Sequence, residues 1–357
     1  MIARRLLPAV AFLLPLLAGA RDVPGASAAG TQHDAVFARY SPLSRSTEMI
    51  RRLLSPLNAG RVTLEATWPG HAVRQQSVDL SQEKFVVHVP AQAPAHGYAL
   101  LVFVPPWDDA RVPAAWIPAL DRHGMIFVSP AHAGNDADVL DRREPLALLA
   151  AYNLSQRYPI DPQRVYVGGF SGGARVALRL ALGYPDLFRG ALLIAGSDPI
   201  GTAQLPLPPA SLFRRFQQGT RLVYLTGQRD DLHQAMDSRS REAMQHWCVA
   251  GMTSINAPRS GHEPPGQATW SQALSALEQP VPAASKQLAA CRARIDASLR
   301  DQLRKAQARL ENGNHGAACK LLQDIDTRYG GLAAPRSVEL MKQVSGDDLH
   351  SGTCPSH

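Results

Sequence analysis

A chain of 357 residues with 45% apolar and 19% charged side chains can build a large buried core, which excludes a disordered, fibrous or coiled-coil protein. The formal charge of +7 is scattered, with no run of five or six like charges and only 6% aromatic residues, so a nucleic-acid-binding surface finds no support.

Arg4 and Arg5 precede an apolar run from Leu6 to Leu17, and two small-residue cleavage sites follow, Ala18-Gly19-Ala20 and Ala26-Ser27-Ala28. This pattern predicts a secretory signal peptide over residues 1–28 and a periplasmic or extracellular chain. The apolar run is broken by Pro8 and Pro15 and is shorter than the ~20 residues that a membrane span needs, so no stable span is expected. Residues 29–59 form an N-terminal segment without an assigned strand.

From residue 60 to 279, short β-rich runs alternate with helix-like stretches. The strands are predicted at 62–67, 85–89, 99–104, 125–129, 164–169, 191–196, 222–226 and 252–257. Runs such as Ala99-Leu100-Leu101-Val102-Phe103-Val104 are continuously apolar, the mark of parallel strands covered on both faces. The spacers, for example Leu146 to Arg157 and Ala174 to Leu182, carry helical periodicity. The expected fold class is therefore α/β, an eight-stranded, mostly parallel sheet flanked by helices.

Between one such strand and the following helix stands Gly169-Phe170-Ser171-Gly172-Gly173, a Gly-x-Ser-x-Gly elbow in its required strand–turn–helix setting. The turn would strain Ser171 and lift its hydroxyl above the sheet, beside the free N–H groups of a helix N-terminus. A serine needs a base and an acid to orient that base, and in this architecture they follow in the order Ser, Asp or Glu, His. Asp230 and Asp231 lie in the loop after the strand at 222–226, and His262 lies just beyond the last strand. Ser171, His262 and one of these two aspartates are the candidate catalytic residues.

Beyond Pro280 the character changes. A plausible linker, Pro280-Val281-Pro282, leads to a helical pattern from Lys286 to Glu311, a break at Asn312-Gly313-Asn314, and a second helix from about His315 to Tyr329. Residues 280–357 are thus expected to form a tetratricopeptide-like helical hairpin with a tail. It would cap the main domain, with a protein partner at these helices as the other reading. Export lets cysteines pair. In a hairpin turning near Gly313, Cys291 and Cys319 lie tens of ångströms apart, which weakens one of the three connectivities, and Cys248 with Cys291 and Cys319 with Cys354 is the favoured pairing. Four reduced thiols are the alternative.

The segment Ile160-Asp161-Pro162-Gln163-Arg164-Val165-Tyr166-Val167-Gly168-Gly169-Phe170-Ser171-Gly172-Gly173, with Tyr184-Pro185-Asp186-Leu187-Phe188-Arg189-Gly190, resembles the α/β-hydrolase superfamily. Within it the similarity is to secreted esterases related to polyhydroxybutyrate depolymerases and feruloyl esterases. The resemblance spans residues 60–278 and implies ester hydrolysis through an acyl-enzyme, with no cofactor or metal. It transfers nucleophile, acid and base to Ser171, Asp230 and His262, since an acid three residues past the strand-ending glycine is that family's usual placement. The family also has a glycine-containing turn after the third strand that completes an oxyanion hole. Here Val104-Pro105-Pro106-Trp107-Asp108 stands there, so Gly172 would supply one N–H and Trp107 or Asp108 the other, because proline has none.

The segment between residues 197 and 220 is too short for a cap domain, which implies an open cleft for small or polymeric esters. Trp116, Trp270, His132, Asn135 and Arg143 are further candidates to line it. A peptidase or acyltransferase could use the same three residues, and a noncatalytic exported scaffold relying on the C-terminal helices is the reading from another class.

Overall fold

The computed structural model describes residues 29–281, 286–345 and Cys354, so the signal peptide predicted over 1–28 lies outside the described residues. An edge strand β1 (Gly30–Ala35) is followed by α1 (Ser46–Leu53) and α2 (Pro56–Glu65). Then come β2 (Phe85–Val89), β3 (Tyr98–Val104), α3 (Ile117–Arg122), β4 (Met125–Pro130), α4 (Glu144–Arg157), β5 (Ile160–Phe170) and α5 (Gly172–Gly183). The sheet continues with β6 (Gly190–Ile194), α6 (Ala210–Gly219), β7 (Arg221–Gly227), α7 (Asp231–His246), β8 (Met252–Ala257) and α8 (Gln267–Leu277).

The eight strands form one sheet in the order β1-β2-β4-β3-β5-β6-β7-β8. β2 pairs antiparallel with β1 and β4, and every pairing from β4 to β8 is parallel. Side chains alternate across the sheet. In β3, Leu100, Val102 and Val104 enter one core with α4, α5 and α6, while Ala99, Leu101 and Phe103 enter the other with α3 and α8. This explains the unbroken apolar runs, since both faces of each central strand are shut off from water. Trp116 and Trp270 stack in the second core with centroids 3.8 Å apart and planes 9° off, fully buried. They belong to the packing and do not line a substrate cleft.

The strand expected at 62–67 is absent, because those residues lie at the C-terminal end of α2 and just beyond it. Their β-branched side chains cost a helix only a few tenths of a kcal/mol each. That cost is offset by Pro56 in the first turn and by Asp326, whose carboxylate accepts from the Leu57 amide at 3.0 Å. The eighth strand is β1, whose sequence Gly-Thr-Gln-His-Asp-Ala shows no apolar pattern. As an edge strand it is exposed or half-buried throughout, and Thr31 Oγ1 meets His88 Nδ1 on β2 at 2.9 Å.

At the C-terminal end, α9 (Lys286–Glu311) and α10 (His315–Tyr329) form the expected hairpin, and a third helix, α11 (Arg336–Ser345), adds to it. Their apolar faces join the core that holds α5 and α6, through Ile295, Leu299, Leu322, Ile325 and Tyr329. Gly331 donates to the Leu207 carbonyl at 2.7 Å, and Arg292 Nε to Gln217 Oε1 at 2.7 Å. Both expected disulfides are present, Cys248–Cys291 and Cys319–Cys354, and no cysteine is free. Among the described residues, no helix is long and apolar enough to cross a membrane.

Candidate active site

Parallel strands deliver their C-terminal loops to one rim of the sheet, and the candidate residues converge there. β5 ends at Phe170, and Ser171 follows with φ 54° and ψ −124°, an uncommon conformation for a residue with a Cβ. The Ser171 amide donates to the Ile194 carbonyl of β6 at 2.7 Å, and α5 starts at once. Side chains cannot fit on either side of this turn. A Cβ on Gly169 would lie 2.2 Å from the Gly173 carbonyl, and one on Gly173 would lie 2.0 Å from the Val104 carbonyl. The elbow therefore presses against the end of β3, which brings the 105–108 turn alongside Ser171.

Asp230 leaves the loop after β7 and caps α7, accepting from the His233 amide at 3.4 Å. That loop is tied to the one after β8, as Gln228 donates to the Ala257 carbonyl and Arg229 to the Ser260 carbonyl, both at 2.9 Å. The tie carries His262 to Asp230. His262 Nδ1 lies 2.8 Å from Asp230 Oδ2, and its Nε2 lies 3.0 Å from Ser171 Oγ. An ionised carboxylate can only accept, so the imidazole proton sits on Nδ1 and leaves Nε2 free to accept from the serine hydroxyl. Asp230 is 7% exposed, whereas Asp231 is exposed at the first position of α7 and takes no part in this chain of hydrogen bonds.

An Asp–His–Ser chain thus converges on the rim of a sheet ordered 1-2-4-3-5-6-7-8, with the serine at the elbow after β5. The fold is that of the α/β hydrolases. No family model matches the chain. The candidate esterase NocK of Nocardia uniformis subsp. tsuyamanensis is 47% identical over 53 residues, 15% of this chain and 13% of that protein. The poly(3-hydroxyalkanoate) depolymerase C of Paucimonas lemoignei is 50% identical over 44 residues, 12% of this chain and 11% of that protein. The matched stretch thus spans about an eighth of these relatives' length. Among solved structures, the S-formylglutathione hydrolase of Staphylococcus aureus aligns at 14% identity and TM-score 0.43, covering 54% of this chain and 89% of its own. The acetyl xylan esterase of Aspergillus awamori aligns at 14% identity and TM-score 0.41, covering 54% and 94%.

A second imidazole, unmarked in the sequence reading, joins the site. His233 Nδ1 lies 2.7 Å from Asp230 Oδ1, so the carboxylate is bonded on both oxygens. Burial would raise the Asp230 pKa, but hydrogen bonds from His233 and His262 outweigh it and hold the carboxyl below its ordinary range. The spacing Asp230-x-x-His233 at a helix start was the available signal. Asp230, His233 and His262 could also bring three ligand atoms within 4.8 Å of one another around a metal, though both Nδ1 atoms are already engaged by the carboxylate.

In the 105–108 turn, the Asp108 carbonyl accepts from His132 and the Pro106 carbonyl from Asn135, at 2.6 and 3.2 Å. Asp108 Oδ1 accepts from the Gly134 amide at 3.1 Å. Among the described residues, the backbone amides of Trp107 and Asp108 have no partner. The Trp107 ring packs on Phe170 with centroids 6.1 Å apart, and Phe170 in turn packs on His262 at 4.9 Å. Of the remaining sequence candidates, Asn135 and Arg143 line an open cleft of about 700 Å³ that includes Ser171 and Gly172, whereas His132 is exposed outside it.

Proposed function

We propose that this chain is an exported serine hydrolase that cleaves carboxylic esters. The observation that carries the reading is the unbroken hydrogen-bonded chain from Ser171 Oγ through His262 to Asp230. In this mechanism His262 Nε2 removes the serine proton as Oγ attacks the ester carbonyl, and Asp230 stabilises the imidazolium. The negative charge on the tetrahedral intermediate falls to the Gly172 amide at the start of α5 and to the Trp107 amide. His262 then protonates the departing alcohol, leaving an acyl group on Ser171. Water, activated by the same imidazole, hydrolyses that acyl-enzyme and restores the serine.

Two disulfides support an oxidising compartment, in keeping with removal of residues 1–28 on export. The names of the two curated relatives agree with ester chemistry. In the domain organisation we propose, residues 60–279 carry the catalysis and the helices beyond 280 brace it. Hydrolysis of p-nitrophenyl butyrate by the purified chain tests the reading. Ser171→Ala and His262→Ala are each expected to lower kcat by ~10⁴ or more while the fold persists. Unchanged turnover in either folded variant would reject it.

A further inference from the structure

The cleft beside Ser171 holds positive charge that the hydrogen-bonded chain does not use. Arg143 is only 3% exposed, and its Nε and Nη2 donate to the carbonyls of Ala133 and Pro105 at 3.0 and 2.9 Å. Its neighbour Glu144 pairs with Arg179 instead, at 2.7 Å, so the Arg143 Nη1 has no partner among the described residues. Arg175 stands one turn after Ser171 on α5, and only its Nε is engaged, by Asp198 at 2.7 Å. Desolvation pushes the Arg143 pKa down to about 10, an effect that Glu144 opposes and the positive charge of Arg175 reinforces. A buried guanidinium without a carboxylate partner, as at Arg143, is costly, and Arg175, half-exposed and paired with Asp198 through Nε alone, lines the same cavity with both Nη groups unengaged among the described residues. The other acidic group of this cleft, Asp138, is engaged in capping the Asp141 amide at 2.7 Å. Val139, Leu140 and Val176 supply an apolar wall beside the arginines.

We propose that this cleft binds an ester bearing a second, ionised carboxylate, held by Arg143 and Arg175 while its ester carbonyl faces Ser171. The planar guanidinium fork matches a carboxylate's two oxygens, and the apolar wall suits an aliphatic or aryl spacer between the two groups. This substrate class rests on the hydrolase reading and narrows it.

Two ester pairs differing by one charge test it. p-Nitrophenyl hydrogen adipate against p-nitrophenyl methyl adipate probes the acyl side, and 4-acetoxybenzoate against its methyl ester probes the alcohol side. The acid member of at least one pair should have roughly tenfold higher kcat/KM, the effect of one charge-assisted contact. Raising the salt from about 0.05 to 0.5 M should shrink that ratio severalfold. Arg175→Gln should abolish the preference and Arg175→Glu should invert it. Equal kcat/KM for both members of each pair, a preference for the neutral esters, or a preference unmoved by Arg175→Gln would overturn the inference. Labelling of Ser171 by a fluorophosphonate without turnover of either acid ester overturns it alone. Neither labelling nor turnover of any of the four overturns the hydrolase reading and this inference with it.

Discussion

The ring of His233 lies parallel to that of His262, with centroids 4.0 Å apart and planes 14° off, and the two imidazoles bond opposite oxygens of Asp230. The carboxylate is thereby clamped in the rotation that serves His262. Among the described residues, the His233 ring hydrogen-bonds Asp230 and neither the serine hydroxyl nor His262, so in the proposed mechanism it is a positioning residue.

Removing that clamp should have a measurable cost. A hydrogen bond to a charged group is worth about 1.5–3 kcal/mol, so His233→Ala is expected to lower kcat/KM roughly ten- to hundredfold with little change in KM. His233→Asn, which restores an N–H donor, should recover most of the loss. Asp230 should also titrate closer to the ordinary carboxylate range in the alanine variant, followed by carboxyl NMR, because one of the bonds that lower its pKa is gone.

The elbow tolerates no added atom. A Cβ on Gly173 would sit 2.0 Å from the Val104 carbonyl, against backbone that cannot step aside. Gly173→Ala is expected to destabilise the fold by about 3 kcal/mol or more and to move the 105–108 turn away from Ser171, with at least a hundredfold loss of ester turnover. Thermal melts and kinetics on the same preparation check both.

The central strands and the elbow were legible because their constraints are local. β3 is apolar on both faces because two helix layers cover it, and Gly169 and Gly173 are imposed by one turn. Helix length removed one of the three cysteine connectivities, the one joining Cys291 to Cys319, and the favoured of the other two is the one present. Place after the last strands pointed to His262 and to Asp230 or Asp231, the resemblance preferred Asp230, and it is Asp230 that bonds His262. What the sequence concealed depends on tertiary partners. β1 is polar because it is an edge strand, and the β-branched residues after Arg61 become helix because Asp326, far along the chain, anchors α2 at Leu57. His233 is invisible without Asp230 turned toward it.

Acid should loosen the N-terminal helix first. Hydrogen bonds from Arg51 and Arg52 outweigh burial and lower the Glu48 pKa to about 2, while Arg52 also reaches Asp186 at 2.6 Å and so ties α1 to the segment after α5. The folded pKa lies below the unfolded value of about 4.3. This contribution to stability is therefore complete above that unfolded value and is lost as the pH falls toward about 2. Glu48→Gln should lower Tm at pH 6, with the difference from the parent vanishing near pH 2, as followed by circular dichroism.

The Cys248–Cys291 bridge closes a sequence separation of 43 residues and holds α9 to the end of α7. Chain-entropy arguments put such a closure at roughly 4 kcal/mol. The Cys248→Ser/Cys291→Ser double variant should melt several degrees lower, yet keep its ester turnover below the melt, because neither sulfur lies among the residues around Ser171. Denaturant melts and assays at 20–25 °C separate the two effects.

The most direct measurement maps a covalent adduct. Incubation of the folded chain with a fluorophosphonate, followed by peptide mass spectrometry, is expected to place one adduct on Ser171, and Ser171→Ala to abolish it without loss of the folded spectrum. An adduct on a different residue, or none on a sample shown to be folded, would contradict the assignment of Ser171 as the nucleophile.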